Sequence, residues 1–131
     1  MDLDIRVIQH KEFLKTTPNG QIDLSTSKRV LLKLASLNKP PSNRDVLLDL
    51  RDTTNRLTIL DVTELVELMI KHRDSFRKKL AIITEIGTPH QLTAFMETYA
   101  INRGFQVAAF DNFEAAILWL ATTIDVKLEG G

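Results

Sequence analysis

Four aspartates and a cluster of threonines crowd the segment "DVLLDLRDTTNRLTILDVTELVELM", residues 45 to 69. Asp45, Asp49, Asp52 and Asp61 are of the type that holds magnesium. Such a site is commonly built at the carboxyl end of a parallel strand. A phosphoacceptor aspartate would use the same setting. The competing role is structural: aspartate and threonine also cap helices and accept N–H groups from loops. Phosphoacceptor receiver folds begin with a strand-helix unit that ends its first strand in an acidic pair. This chain begins with a hairpin pattern, so capping is the expected role.

Other chemistry-bearing residues are scattered. His10, His72 and His90 are isolated, and none has a second histidine at metal-ligand spacing. No metal site or cofactor is expected. The five glycines, at 20, 87, 104, 130 and 131, build no phosphate-cradling loop, and no Gly-x-Ser-x-Gly elbow is present. "KHRDSFRKK", residues 71 to 79, sets five cations against Asp74. It could bind phosphate or an acidic partner. It also follows a helix end, where cations oppose the negative end of the dipole, and that is its expected role. Phe95, Tyr99, Phe105, Phe110, Phe113 and Trp119 recur at apolar positions and read as core rather than as a stacking platform for bases.

Totals narrow the classes further. The 131 residues suit a single domain with one core. Seventeen basic and seventeen acidic side chains cancel, so no global charge draws the chain to nucleic acid or to an anionic membrane. With no cysteine, disulfides, thiolate catalysis and thiolate-bound metals are excluded. The start, "MDLDIRVIQH", is acidic and lacks a continuous apolar run, unlike a signal peptide. No segment approaches the roughly 18 apolar residues of a membrane span. A soluble, cytoplasmic protein is expected.

The elements that must position these residues follow from periodicity. "IRVIQ" and "FLKTT" read as strands. Their hairpin closes either near His10-Lys11 or at Asn19-Gly20, a pair that tolerates positive φ. A first helix capped by Ser25 or Thr26 carries Val30, Leu31, Leu34 and Leu37, and Pro40 and Pro41 lie beyond its end. "DVLLDL" and "KLAIIT" are apolar runs that suit strands covered on both faces. Between them runs a helix with Val62, Leu65, Val66 and Met69 on one side. Thr88, Pro89 and Gln91 form a capping pattern for a third helix, which Gly104 ends. "FQVAAF" is a last strand, and Asp111 with Glu114 opens a last helix. The order β-β-α-β-α-β-α-β-α predicts an α/β fold: a mixed, mostly parallel sheet with an N-terminal hairpin and four alternating helices. A single domain fills residues 1–131, with its core at about 5–121 and a loose tail at 125–131.

This pattern resembles the STAS domain, named from sulphate transporters and anti-sigma-factor antagonists. The resemblance rests on "GQID" before a helix, "LLDLRDTT", and "LDVTEL" opening a helix. The final third, "FMETYAINRGFQVAAFDNFEAAILWL", is similar to a bacterial branch called SpoIIAA-like. What the resemblance implies is a non-enzymatic regulatory domain that docks on a protein partner of the anti-sigma-factor or kinase-like kind. Some such domains are switched by phosphorylation two residues after an aspartate at the helix start. Carried over, that aspartate is Asp61 and the phosphoacceptor is Thr63. Were Asp61 the N-cap with Glu64 as its partner, a phosphate on Thr63 would meet the positive end of the helix. Thr58 is the other candidate cap. Here "DVTEL" replaces the family's Asp-Ser-[Ser/Thr]-Gly-Leu. Arg51, Asp52, Thr58 and Asp61 are the expected docking residues. The alternative is a carrier of a small molecule, nucleotide or lipid, with a crevice near Arg51, Glu85 and Asp111. A homodimer is compatible with either reading.

Overall fold

The computed structural model describes residues 7–9 and 13–121. Its main sheet has five strands in the order β1 (Val7–Gln9), β2 (Phe13–Thr16), β4 (Asp45–Asp49), β6 (Lys79–Ile83) and β7 (Gln106–Phe110). β1 runs antiparallel to β2, with Val7 opposite Thr16 and Gln9 opposite Leu14. The other neighbours are parallel. The β1–β2 pairing excludes closure of the hairpin at Asn19-Gly20; the other expected position, near His10-Lys11, lies outside the described residues.

The Asn19-Gly20 stretch leads instead into a feature the periodicity does not reveal. β3 (Gly20–Ile22) pairs in parallel with β5 (Thr53–Asn55), Gly20 opposite Thr53, as a separate two-stranded sheet. Gly20 has φ +108°, a value that favours glycine. Three-residue strands bury too little to announce themselves by alternation.

The four helices are α1 (Leu24–Leu37), α2 (Ile59–Lys71), α3 (His90–Asn102) and α4 (Phe113–Ala121). A single 3-10 turn, Arg73–Phe76, follows α2. The apolar stripes expected for α1 and α2 face inward, with Val30, Leu31, Leu34, Val62, Val66 and Met69 all buried. Leu37, expected in the α1 stripe, is 39 % exposed because it sits at the helix end.

Three caps differ from expectation. Asp23, not Ser25 or Thr26, caps α1: its carboxylate accepts from the Thr26 N–H, and the Thr26 hydroxyl accepts from the Asp23 N–H. Thr26 is thus the third helical position of a capping box. Pro89, not Thr88, precedes α3, and no side chain caps that helix. Asn112, not Asp111, caps α4, accepting from the Ala115 N–H at 2.8 Å. At α1 and α4 cap-forming residues stand within a few positions of one another, so residue type alone does not decide which one caps. Gly104 follows α3 as expected, at φ +93°.

α1, α2 and α3 pack on one face of the sheet, against Val46, Leu48, Leu80, Ile82 and Val107. α4 covers the opposite face, against Leu47, Ala81 and Ile83. Successive residues of β4 and β6 alternate between these two layers, as a strand's two-residue period requires. Leu14, Leu34, Leu47 and Ile83 are completely buried, and each such side chain stabilises the fold by roughly 1.5–3 kcal/mol. Each parallel connection brings in the next strand on the same side of the last, so the sheet order never reverses. Among the described residues, no helix is long and apolar enough to cross a membrane.

Candidate functional site

The start of α2 is held by a reciprocal pair. The Thr58 hydroxyl accepts from the Asp61 N–H at 3.2 Å, and the Asp61 carboxylate accepts from the Thr58 N–H at 2.9 Å. Thr58 is therefore the N-cap and Asp61 the third helical position, so the arrangement with Asp61 as cap and Glu64 as its partner is not the one adopted. Glu64 instead reaches Lys28 of α1 at 3.4 Å, in an exposed ion pair of little energetic weight. Thr63 stands at the fifth helical position, three further along than it would with Asp61 as cap. Its hydroxyl donates to the Leu60 carbonyl at 2.7 Å. Beside this rigid turn, Ile59 and Leu60 are 44 % and 75 % exposed.

Arg51 lies across the end of β4. Its guanidinium grips Asp49 through two hydrogen bonds, and its backbone N–H gives Asp49 a third at 3.1 Å. Asp49 alternates with Leu48 along the strand, so it belongs to the α4 side of the sheet. Phe113, which opens α4, has the Arg51 guanidinium 6.0 Å and the Lys15 ammonium 5.2 Å from its ring centre. Burial pushes the Asp49 carboxyl up, but the Arg51 hydrogen bonds and the charges of Arg51 and Lys15 outweigh it and hold the carboxyl below its usual range. The Asp49 hydrogen bond raises the Arg51 pKa in return, against a smaller opposing effect of burial. Asp49 spends its acceptors on Arg51, which leaves it poorly placed to ligate a cation. Among the described residues, no group of three His, Asp or Glu side chains could hold a metal ion.

The remaining expected site residues follow the carboxyl ends of the adjacent parallel strands β4, β6 and β7. Asp52 is exposed, and its carbonyl accepts from the Gly20 N–H at 3.4 Å, which ties the small sheet to the end of β4. Glu85 is half-buried in the loop after β6, alongside Gly87. Asp111 is exposed and accepts from the Asn112 side chain. Arg51 is joined to neither of them by any hydrogen bond or ion pair among the described residues.

A partly open apolar pocket does exist, in another place. A cavity of about 110 Å³ lies between the sheet and α1, α2 and α3, lined by Leu48, Val62, Val66, Met69, Leu92 and Val107 among others. Arg51, Glu85 and Asp111 are not in its lining. Sequence periodicity marks these residues as core but cannot show that their packing leaves a gap.

Neither protein-family models nor curated protein sequences yield a match to the chain. Solved structures do. An uncharacterised protein of the DUF3478 family with a SpoIIAA-like fold, from Shewanella loihica PV-4, superposes with a TM-score of 0.59. The identity is 18 %, over 91 % of this chain and 94 % of that one. The anti-sigma factor antagonist SpoIIAA in its unphosphorylated form superposes with a TM-score of 0.57. It is 9 % identical over 92 % of this chain and 100 % of its own. These likenesses concern architecture: hairpin first, parallel strands after it, and helices alternating between them. The chain has the SpoIIAA-like fold.

Proposed function

We propose that the chain is a non-enzymatic regulatory domain that captures a protein partner with the start of α2 and the loop leading into it. The observation that carries this reading is Leu60, three-quarters exposed beside Ile59 on a turn that the Thr58–Asp61 box holds rigid. An exposed aliphatic pair on a pre-organised turn is a suitable anchor, because little conformational entropy is lost on docking. Asp52, Thr58 and Asp61 supply the polar rim, whereas Arg51 turns to the α4 side of the sheet and lies outside it. The fold shared with a protein named as an anti-sigma factor antagonist supports a partner of the same regulatory kind. The domain works in the cytoplasm, where such regulators act.

Thr63 is the switch of this reading. Phosphorylation there would remove the hydroxyl's bond to Leu60 and add nearly two negative charges within a turn of the docking edge. The phosphate would also lie beside Glu64, so it would act by repelling an acidic partner surface rather than by firming the helix start.

The test is a photo-crosslinking side chain placed at Leu60 and, as a control, at Lys33 on α1, expressed in the source organism. A defined partner captured at position 60, not at 33, and lost in a Thr63→Glu variant supports the proposal. Equal capture at both positions, or none at 60, refutes it.

A further inference from the structure

We infer that the cavity beneath α2 and α3 is a binding site for a small neutral apolar molecule, about the size of a six-carbon ring. Protein interiors hold few voids larger than a water molecule. An apolar void of about 150 Å³ stays dry and accepts benzene. The volume here, about 110 Å³, is in the same range.

The lining decides the chemistry. Among the described residues no Asp, Glu, Lys, Arg or His contributes to it. The polar side chains that reach it include Thr53, Thr84 and Thr93, and their hydroxyls already donate to the carbonyls of Leu50, Phe110 and His90. Ser27, Asn55 and Thr88 also reach it, but most of the lining is aliphatic, so the cavity offers a ligand chiefly methyl and methylene groups. A carboxylate or phosphate inside it would lose its hydration with no cation in return, a cost that excludes nucleotides and ionised fatty acids from the interior. Leu57, Thr84, Thr88 and Thr93, on the loops and first turns leading into α2 and α3, are only half-buried, so the way in lies there.

The same helix serves both faces. Val62, Val66 and Met69 of α2 line the cavity, while Ile59 and Leu60 at its start look outward. A bound molecule would pack against the inner side of that helix. The binding site stands without the docking reading, because detecting it requires no partner.

The test is methyl NMR of the full chain titrated with toluene and, separately, with hexanoate and AMP. Toluene should produce saturable shifts at Val62, Val66, Met69 and Leu92, and the two anions none at those methyls. A Val66→Phe variant, shown folded by a dispersed methyl spectrum, should raise the toluene dissociation constant at least tenfold. Should it not fold, Ala100→Val supplies the filled cavity and should raise the constant severalfold. No toluene shifts at these methyls, or an unchanged constant in the folded filled variant, overturns the site. Saturable AMP binding at the same methyls overturns its neutral character.

Discussion

Arg51 folds back onto Asp49 two residues upstream, Nε to Oδ1 at 2.9 Å and Nη2 to Oδ2 at 2.7 Å, while Asp49 is only 4 % exposed. A buried carboxylate is thereby paired by a side chain that is itself 44 % exposed. The pair closes the end of β4 on the α4 side, and the apolar cavity opens on the other. The two features of the molecule most suggestive of a site therefore lie on opposite faces of one sheet.

Removing the cation should cost more than removing the pair. Arg51→Met leaves a buried carboxylate without its partner and should destabilise by roughly 1–3 kcal/mol. A wholly buried pair would cost more, but Arg51 keeps part of its hydration. Asp49→Asn in the same background should recover part of that loss. Urea denaturation at pH 7 measures both, and a single Arg51→Met variant as stable as the parent would show that water alone satisfies Asp49.

The same pair sets an acid limb. The folded Asp49 pKa is depressed, so its stabilisation is fully present above the ordinary aspartate value of about 3.9 and is lost as pH falls through the folded value. Asp49→Asn should flatten the loss of stability below about pH 4. Thermal midpoints between pH 2 and 6 check this, and identical slopes in the two proteins would exclude Asp49 as a contributor.

The cap at α2 separates stability from recognition. Thr58→Ala should cost about 1 kcal/mol and Thr58→Ser much less, because the serine hydroxyl can accept the same N–H. Asp61→Ala should cost a similar amount by opening the other half of the box. Leu60→Asp, at an exposed position, should leave stability within about 0.5 kcal/mol while abolishing partner capture. Loss of capture with Leu60→Asp at full stability is the result a merely structural turn would not give.

Thr63 can be read directly by mass. Its hydroxyl bonds only to the preceding turn, so Thr63→Val should change stability by less than about 0.5 kcal/mol. Denaturing intact mass of the protein from its own source, grown under several conditions, should reveal a phosphoryl group mapping to Thr63. A bare mass throughout would leave docking without a switch.

The cavity carries a stability prediction of its own. At about 24 cal/mol per Å³, a void of 110 Å³ forfeits up to ~2.6 kcal/mol of packing. Val66→Ile adds one methylene into it and should stabilise by up to ~0.8 kcal/mol, whereas the same change in a tight core would strain it. A destabilised Val66→Ile would mean that the gap cannot accept atoms at that point.

The main layers of the fold were legible in the sequence because they rest on local regularities. "DVLLDL" and "KLAIIT" each hold a run of adjacent apolar residues, as a strand buried on both faces requires, and β4 and β6 are inner strands of the sheet. The α1 and α2 stripes follow a 3.6-residue period that residue types alone display. Resemblance in order and spacing added the family expectation, and the superposed structures agree with it at the level of fold.

Tertiary structure decided whatever depends on distant segments meeting. β3 and β5 are three residues each and exist only because Gly20 and Thr53 are brought side by side. Thr58 and Asp61 were both able to cap α2, and the choice between them follows from where the β5 loop delivers the chain to the helix, a position no local pattern encodes. Arg51 had several carboxylates within reach in sequence. The burial of Asp49 selects it, because an unpaired charge is costly in the interior and cheap in water. The cavity is a property of no single element: α1, α2 and α3 each have an ordinary apolar face, and the gap arises only where the three fail to fill the space above the sheet.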